Sequence, residues 1–284
     1  MAERTCCVCQ STMALAGPRW RFRCPDCRNE SSSLDVTINE LHGIDENLRE
    51  EGLQPLREQN NADIVARIVG WGIPPETALL DVGCAHGWFL AQAESAGIPS
   101  VGVEPDVAIA QLAIDRGHDV RVGFFPDVLE DGERFGAITF NDVLEHIPDP
   151  RAALRESAHR LVPQGLLVVN MPNRGGIVYR LAGLARRIGV SSVFERLWQV
   201  GLPSPHLWYL DRHGLSHLAE SIGLTPVAVT HLPSIQRKGL WARTHFDRRP
   251  SLLTVLSVGI GWLAAPALNS RRMSDIMLVA YRKQ

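Results

Sequence analysis

The sequence predicts an α/β protein, in which one sheet is covered by helices on both faces and a small cysteine-rich unit precedes it. Strand-like and helix-like segments alternate from Thr77 onward, which is the pattern of a sheet with crossover helices. Five of the six cysteines lie within the first 27 residues. The 284-residue chain, with 45% hydrophobic and 21% charged residues, has the size and composition of a globular domain with appendages.

Seven segments are predicted as strands, because short apolar runs lie there between turn-forming residues. These strands are expected at Ala78–Val82, Ser100–Glu104, Asp119–Val122, Gly136–Phe140, Gly165–Met171, Leu224–Thr230 and Asp275–Tyr281. Helices are expected at Trp88–Ala96, Val107–Arg116, Arg151–Leu161 and Asp211–Ile222. A further amphipathic helix is expected over residues 45–70, interrupted near Pro55. The alternation predicts a parallel sheet.

The N-terminal cysteines form two pairs, Cys6-x2-Cys9 and Cys24-x2-Cys27, with 14 residues between the pairs. No secretory signal is apparent before them, so we expect a cytoplasmic protein whose cysteines bind metal rather than form disulfides. Two such pairs can close a tetrahedral thiolate site, and a segment of about thirty residues could hardly fold without one. A structural zinc ion bound by Cys6, Cys9, Cys24 and Cys27 is therefore expected.

Changes in composition along the chain suggest the domain boundaries. A zinc ribbon that forms an independent unit is expected over residues 1–33, and a linker with N-terminal helices over 34–76. The α/β domain is expected over 77–284, with a cap at 174–210 and an apolar insertion at 233–273.

A glycine-bearing turn follows the first predicted strand, within the stretch Leu79–Trp88. Open parallel sheets bind ligands outside the carboxyl ends of their strands, where this turn lies, and its glycines permit close backbone approach. Glu104 ends the next strand, where a carboxylate can accept hydrogen bonds from a ribose diol. A dinucleotide fingerprint would require glycine at two positions that hold Ala85 and Trp88. The pattern therefore disfavours NAD.

The seven residues from Asp81 to Gly87, Asp-Val-Gly-Cys-Ala-His-Gly, resemble the D-V-G-C-G-x-G motif of class I S-adenosylmethionine (SAM)-dependent methyltransferases. Three further stretches follow in the family's order: Val101–Asp106, Phe135–Pro150 and Leu161–Asn170. The resemblance covers residues 60–230 and implies a Rossmann-like, seven-stranded methyltransferase sheet with SAM as cofactor. Glu104 would bind the ribose, and Phe124 stands where the family often has an aspartate near the adenine. The implied cofactor-binding residues are Asp81, Gly83, Cys84, Gly87, Glu104, Pro105, Phe124 and Asn141.

The candidates for catalysis lie after the fourth predicted strand and in the cap. His146 has an ordinary pKa near 6.5 and can act as a general base; the alternative is a histidine at a helix start that binds backbone. In the resembling family the segment Pro205–Tyr209 lies over the active site, which adds His206 and Tyr209 on the substrate side. The catalytic set expected is Asp142, His146 and His206.

A divalent cation is a second interpretation of the same region. Asp142, Glu145 and His146 have the acid-x-x-Glu-His spacing that some metal-dependent O-methyltransferases carry, including those of ubiquinone biosynthesis. Two carboxylates and an imidazole can hold a cation that polarises a hydroxyl group. Other relatives with a similar stretch are not known to bind metal, so both interpretations stay open. Asn141 is not followed by the Pro-Pro-Tyr of amine methyltransferases, which favours an oxygen or carbon acceptor.

Charge is distributed unevenly along the chain. Residues 1–173 hold 14 Lys and Arg against 26 Asp and Glu, whereas residues 174–284 hold 15 against 5. The basic part includes the uncharged stretch Pro250–Ser270, which is bracketed by arginines, and the segment Ile177–Val190. A helix lying at a membrane surface, with its arginines at the headgroups, is one hypothesis for residues 250–270 and for Ile177–Val190. A substrate-cap helix or a dimer helix is the other, and a solvated dipolar protein would explain the charge alone.

The sequence as a whole favours a SAM-dependent, O-directed methyltransferase that acts on a small or lipophilic acceptor. Quinone precursors, phenols, and lipid-linked or nucleotide sugars all suit a basic, apolar cap. One alternative is a ribosomal RNA methyltransferase that docks through the ribbon, where basic and aromatic residues alternate over Arg19–Arg23. Nucleic acid is the less favoured partner, because the alternation also suits an ordinary strand with solvated arginines. The other alternative is a non-catalytic zinc-ribbon protein whose methyltransferase domain is vestigial.

Overall fold

A computed structural model gives the fold of the protein. It describes residues 4–38, 46–234 and 274–284, together with single positions between 259 and 269, and residues 46–53 are described by their backbone. The strands are β1 Ala14–Leu15, β2 Arg21–Arg23, β3 Glu30–Ser32, β4 Leu79–Val82, β5 Ser100–Glu104, β6 Val120–Val122, β7 Phe135–Asn141, β8 Leu161–Pro172, β9 Trp208–Tyr209, β10 Leu224–Leu232 and β11 Ile276–Lys283. The α-helices are α1 Glu46–Trp71, α2 Trp88–Ser95, α3 Val107–Asp115, α4 Pro150–Arg160, α5 Ile177–Arg187, α6 Ser192–Leu197 and α7 Arg212–Glu220.

Seven strands form the main sheet, in the spatial order β10-β11-β8-β7-β4-β5-β6. The β4 strand pairs in parallel with β5 and β7, and its Asp81 lies opposite Gly102 on one side and Thr139 on the other. This arrangement confirms the predicted Rossmann-like α/β fold. The last two strands correct the expectation of a parallel sheet, because β11 runs antiparallel to both β8 and β10. The β10 and β11 strands pair directly, with Leu224 opposite Lys283 and Leu232 opposite Ile276, as neighbouring antiparallel strands do.

Helices cover both faces of the main sheet, as predicted. Successive side chains of a strand point to opposite faces. On one face Leu167 and Val169 pack in the same core as residues of α4 and α7. On the other face Leu166 and Val168 pack with residues of α1 and α2. The carboxyl ends of β4, β5 and β7 therefore open onto one edge between these two layers.

The α1 helix differs from the sequence prediction, because it continues through Pro55 without a break. A proline inside a helix removes one backbone hydrogen bond and costs about 3 kcal/mol. The later turns of α1 place Ile64, Val65 and Ile68 in the core beneath the sheet. Burial of three such side chains contributes about 1.5–3 kcal/mol each, which exceeds the cost of the proline.

The cysteine-rich segment is not an independent unit. Its strands form a second sheet in the order β1-β2-β3-β9, in which β3 pairs with the distant β9. Glu30 lies opposite Tyr209 and Ser31 opposite Trp208 in this pairing. Cys6 and Cys24 belong to the same buried core as the strands of the main sheet. The segment is therefore built into the α/β domain.

The cap helices α5 and α6 lie against the same ribbon. Trp20 of the ribbon packs on Phe194 and Trp198, with ring centroids 6.5 and 5.4 Å apart. Tyr179 of α5 stacks on Tyr209 of β9 at 4.3 Å. These aromatic contacts join the ribbon, the cap and β9 into one cluster.

The hypothesis of membrane-surface contact through residues 250–270 falls almost entirely outside the described residues, as does most of the predicted insertion at 233–273. Within the described part of the chain, no helix combines the length and the apolar character needed to cross a membrane.

Candidate active site

The glycine turn between β4 and α2 has the backbone that the sequence predicts. Gly83 and Gly87 adopt φ values of +72° and +78°, which L side chains rarely adopt. A Cβ at Gly83 would lie 2.5 Å from Cγ2 of Val143, and one at Gly87 would lie 2.5 Å from Cδ2 of His118. Both positions therefore require glycine in order to keep the turn tight against the carboxyl end of the sheet.

Asp81 lies at the end of β4 and is 2% exposed. Its Oδ1 accepts hydrogen bonds from the hydroxyl of Thr139 at 2.6 Å and from Nδ2 of Asn141 at 2.9 Å. Burial raises the pKa of this carboxyl to about 7, although the two hydrogen bonds act in the opposite direction. A cationic ligand beside Asp81 would stabilise its ionised form.

Glu104 at the end of β5 holds the glycine turn in place. Its Oε2 accepts a hydrogen bond from the backbone N–H of Ala85 at 3.0 Å, and its Oε1 accepts one from the N–H of Asp106 at 2.9 Å. Burial raises the pKa of this carboxyl as well. Each carboxylate oxygen can accept more than one hydrogen bond, so a ribose diol can still bind beside these backbone contacts.

The other residues of the predicted cofactor-binding set differ in their distance from the cavity and in their contacts. Cys84 is buried, and its Sγ fills the space that a Cβ at Gly102 of the neighbouring strand would need, which is a packing role. Pro105 follows directly after Glu104, at the end of β5. Asn141 ends β7 beside Asp81. Phe124 is 58% exposed, lies outside the residues that line the central cavity, and stays an untested prediction.

A cavity of 420 Å³ opens at the carboxyl edge of the sheet. The glycine turn, the end of β7 and the cap all contribute to its wall. Its lining includes Asp81, Gly83, Ala85, Asn141, Asp142, Glu145, His146, Asn170, Tyr179, Gln199, His206 and Tyr209. The structure thus brings the predicted cofactor turn and the predicted catalytic candidates to one site.

Glu145 is the most unusual group in this cavity. Its side chain is 1% exposed, and neither carboxylate oxygen has a hydrogen-bond partner among the described residues. Burial raises the pKa of Glu145 well above its ordinary value, and the nearby negative charge of Asp142 raises it further. A buried carboxyl group without a partner costs free energy, which an occupant of the cavity would offset.

The two candidate histidines lie beside Glu145. His146 Nδ1 is 2.9 Å from the carbonyl oxygen of Pro205, so Nδ1–H donates and Nε2 carries the lone pair. The rings of His146 and His206 are 4.9 Å apart. His206 Nε2 lies 4.0 Å from Oε1 of Glu145 and 2.9 Å from Nε2 of Gln199. The amide nitrogen of Gln199 can only donate, so His206 Nε2 accepts this hydrogen bond. The cap therefore brings His206 to the residues that follow β7.

The group that could share a cation differs from the predicted one. Among the described residues, ligand atoms of Glu145, His146 and His206 lie within 4.8 Å of one another, and Asp142 is not in this set. The 3-10 helix that carries Glu145 and His146 begins only at Leu144, after Asp142. Asp142 precedes it with a φ of +54°, which breaks the helical spacing.

The four predicted zinc ligands come together in the ribbon. The Sγ–Sγ distances are 3.4 Å for Cys6 and Cys27, 3.3 Å for Cys9 and Cys24, and 3.6 Å for Cys9 and Cys27. Tetrahedral coordination with Zn–S bonds of about 2.3 Å requires sulfur atoms about 3.8 Å apart. None of the six cysteines is in a disulfide. The cluster fits a zinc ion after a small expansion.

Two residues that line the cavity were not among the site residues predicted from the sequence. Asn170 pairs in register with Asn141, and its buried Oδ1 has no hydrogen-bond partner among the described residues. Its position near the end of a predicted parallel strand was a usable signal. Gln199 reaches His206 from the cap, and no local sequence pattern marks it.

The predicted stacking surface of the ribbon is occupied by the protein itself. Trp20 packs on Phe194 and Trp198 of the cap. The guanidinium of Arg4 covers Phe22 at 5.6 Å. These aromatic side chains are engaged within the chain, which disfavours base stacking as the role of the ribbon.

Comparisons with known proteins agree with this fold. A family model described as a methyltransferase domain matches residues 53–229, which is more than half of the chain. A ubiquinone biosynthesis O-methyltransferase of Azorhizobium caulinodans is 30% identical over 34% of this chain and 40% of that protein. The corresponding protein of Bradyrhizobium diazoefficiens is 32% identical over 37% of this chain and 43% of that protein. The chain thus matches less than half the length of these curated relatives.

Solved structures share the fold at low sequence identity. A complex of the Haloferax volcanii Trm112 methyltransferase activator with a methyltransferase matches with a TM-score of 0.58 and 17% identity, over 82% of this chain and 92% of that one. Magnesium protoporphyrin IX methyltransferase from Synechocystis PCC 6803 with bound SAH matches with a TM-score of 0.53 and 12% identity, over 87% and 90%. The chain belongs to the methyltransferase-domain family.

Proposed function

We propose that the protein methylates an oxygen atom of a small or lipophilic acceptor, such as a phenol, a quinone precursor, or a lipid-linked or nucleotide sugar. One observation carries this proposal: the buried group of Glu145, His146 and His206 lines the same cavity as the glycine turn. The names of the curated relatives, which are O-methyltransferases, support the choice of oxygen.

The residues on the cofactor side hold SAM, which supplies an electrophilic methyl group when bound. Asp81 contributes a buried carboxyl group, Glu104 binds the ribose, and the turn between Gly83 and Gly87 allows the backbone to approach. The rest of the task is to align the acceptor oxygen with the methyl group and to exclude water. The aromatic cluster of the cap, which includes Tyr179 and Tyr209, covers this part of the cavity.

His146 is the proposed general base. Its Nδ1–H is fixed by the carbonyl of Pro205, so Nε2 is the atom that accepts the proton of the acceptor hydroxyl. Burial raises the pKa of Glu145 well above its ordinary value and so favours the protonated carboxyl group, the form that can donate a hydrogen bond to the acceptor oxygen. His206 lies between the two and is positioned by Gln199.

The same three residues also fit a divalent cation, with two imidazole nitrogens and one carboxylate oxygen as ligands. A cation held there would lower the pKa of an acceptor hydroxyl. Dialysis against EDTA, followed by addition of Mg²⁺ or Mn²⁺, measures this role, with zinc content followed throughout because the ribbon must keep the zinc ion proposed for it. Turnover that is lost at constant zinc content and then restored by one of these cations assigns the metal, whereas unchanged turnover assigns proton transfer to His146 alone.

We also propose that Cys6, Cys9, Cys24 and Cys27 bind a structural zinc ion. The distances between their sulfur atoms and the absence of disulfides support it. Metal analysis of the purified protein should give one zinc per chain, and a Cys24→Ser variant should lose it.

The experiment that tests the proposed chemistry is transfer of label from methyl-labelled SAM to an alkyl catechol. His146→Gln should lower kcat by roughly 10²–10⁴, the usual contribution of a general base, without changing the Kd for SAM. His159→Gln, at an exposed histidine on α4, is the matched control and should retain activity. Equal turnover in wild type and His146→Gln, or label that enters only RNA when total cell extract is offered, would contradict the proposal.

A further inference from the structure

A second cavity, of 580 Å³, lies between the ribbon strand β2 and the cap helix α5, outside the site described above. Six arginines line it: Arg21, Arg23, Arg174, Arg180, Arg186 and Arg187. Among the described residues, Glu30 is the single acidic residue in its lining. We call this cavity the arginine pocket; four of its six arginines belong to the basic part of the sequence, residues 174–284, which holds 15 Lys and Arg.

The pocket keeps a positive charge after its internal ion pairs are counted. Arg21 is paired with the buried Glu30 at 2.6 Å, and Arg174 is paired with Asp211 at 2.5 Å. Glu30 also accepts a hydrogen bond from the hydroxyl of Tyr179, at 2.5 Å. Among the described residues, the other four arginines have no acidic partner closer than the 4.0 Å that separates Nε of Arg23 from Oε1 of Glu30.

Several of these arginines are held rigidly and remain short of acceptors. The guanidinium groups of Arg21 and Arg186 lie over the ring of Phe194, at 5.2 and 5.4 Å. The Nε atoms of Arg23, Arg174 and Arg186 are buried and have no hydrogen-bond partner among the described residues. The positive charge of the pocket and the shortage of acceptors around its guanidinium groups indicate a ligand rich in acceptor oxygens.

Phosphate oxygens match this arrangement best. Arginine binds phosphate through paired N–H donors, and its planar group keeps its charge at every physiological pH. A diphosphate would use several of the six side chains at once. Carboxylate ligands offer fewer acceptor oxygens for the same number of donors.

The arginine pocket adjoins the active-site cavity, because Tyr179 lines both. The apolar side chains of Leu181 and Leu184 on α5, and of Ile188 just after it, are exposed, and Leu184 lines the pocket. A ligand anchored by phosphate at the arginines can therefore extend toward the glycine turn on one side and along an apolar surface on the other.

We propose that the arginine pocket binds the phosphate or diphosphate group of the methyl acceptor, an assignment of substrate class that rests on the proposed function. The group belongs either to a soluble phosphorylated compound or to a phospholipid-like headgroup. Arg180 and Arg187 are exposed, so they can be replaced without disturbing the core.

Calorimetry with inorganic diphosphate, and co-sedimentation with phosphatidylcholine vesicles with and without phosphatidic acid, test the pocket. The double variant Arg180→Gln, Arg187→Gln should bind at least about tenfold more weakly than the wild type, since it loses two charge-assisted contacts to the phosphate oxygens. Arg134→Gln, Arg155→Gln removes the same charge from exposed positions elsewhere and is the matched control. Binding of diphosphate identifies a soluble acceptor, and binding only to phosphatidic acid vesicles identifies a lipid.

Two results would overturn the proposal: no binding to either probe, or equal weakening in the pocket variant and the control variant. The binding assay needs no turnover, so a failure of the proposed methyl transfer leaves it unaffected. The Kd for SAM, measured in all variants, should stay constant and shows that each variant is folded.

Discussion

The cofactor side and the acceptor side of the cavity differ in how far apart in sequence their contacting residues lie. On the cofactor side, Ala85 bonds to Glu104, 19 residues away, and Asp81 bonds to Asn141, 60 residues away. On the acceptor side, His146 bonds to the carbonyl of Pro205, 59 residues away, and the carbonyl of His206 accepts a hydrogen bond from Ser32, 174 residues away. The hydrogen bonds of the cofactor side thus lie within residues 81–141, whereas the acceptor side also depends on the N-terminal ribbon.

The ribbon contacts the acceptor side of the cavity through the strand pairing of β3 with β9. Its strand β3 pairs with β9, which begins two residues after His206, and the hydroxyl of Ser32 donates a hydrogen bond to the His206 carbonyl at 2.7 Å. Arg151 of α4 donates to the carbonyls of Cys7 and Val8, at 2.8 and 2.5 Å. The ribbon thus braces the acceptor side and makes no such contact with the glycine turn within the described residues. Damage to the ribbon should affect acceptor turnover and spare SAM binding.

Loss of the proposed zinc site should have the largest effect. Cys24→Ser removes a buried thiol that we propose as a zinc ligand, and it should loosen β3 and displace His206; a misplacement of about 1 Å can lower turnover by about 10². Turnover and the Kd for SAM are measured on the same preparation, with zinc content as the check. Cys7→Ser, at a buried cysteine outside the four-ligand group, is the matched control and should keep both zinc and activity. A parallel loss of SAM affinity in Cys24→Ser would refute the separation of the two sides.

The pH dependence of SAM binding tests the cofactor side. Burial raises the pKa of Asp81 to about 7 in the free protein, and the positive charges of SAM favour the ionised form. Below pH 7 the carboxyl group must release a proton to bind, so the Kd should rise up to about tenfold per pH unit as the pH falls. Asp81→Asn keeps the hydrogen-bond acceptor for Thr139 and should bind weakly at every pH. A wild-type Kd that is constant between pH 5.5 and 8, both about one unit or more from the expected midpoint, would exclude this role.

Ser32→Ala should have the smallest effect. It removes the hydroxyl bond to the carbonyl of His206 and leaves a buried acceptor unsatisfied, at a cost of about 1–3 kcal/mol in stability. Turnover should fall several-fold while the Kd for SAM is unchanged. Ser31→Ala, one residue earlier on the same strand, is the control, because its hydroxyl contacts only the sulfur of Met13 at 3.3 Å among the partners described. Equal turnover in the two variants would show that β3 does not position His206.

The same contrast explains what the sequence could predict. The glycine turn, Glu104 and the strands beside them follow from consecutive residues, so their positions are those expected. The pairing of β3 with β9 joins strands of three and two residues that lie more than 170 positions apart, and no local pattern specifies it. The left-handed backbone of Asp142 and the approach of His206 to Glu145 depend on the tertiary structure, so the motif spacing alone does not specify which of these side chains meet.

Calorimetric titration of SAM into wild type, Gly83→Ala and His206→Gln tests the separation of the two sides most directly. Gly83 has a φ of +72°, and its added Cβ would lie 2.5 Å from Val143, so Gly83→Ala should weaken SAM binding by at least about tenfold. His206→Gln should bind SAM like the wild type and lose acceptor turnover. SAM affinity that is unchanged in Gly83→Ala, or lost in His206→Gln, would contradict the account.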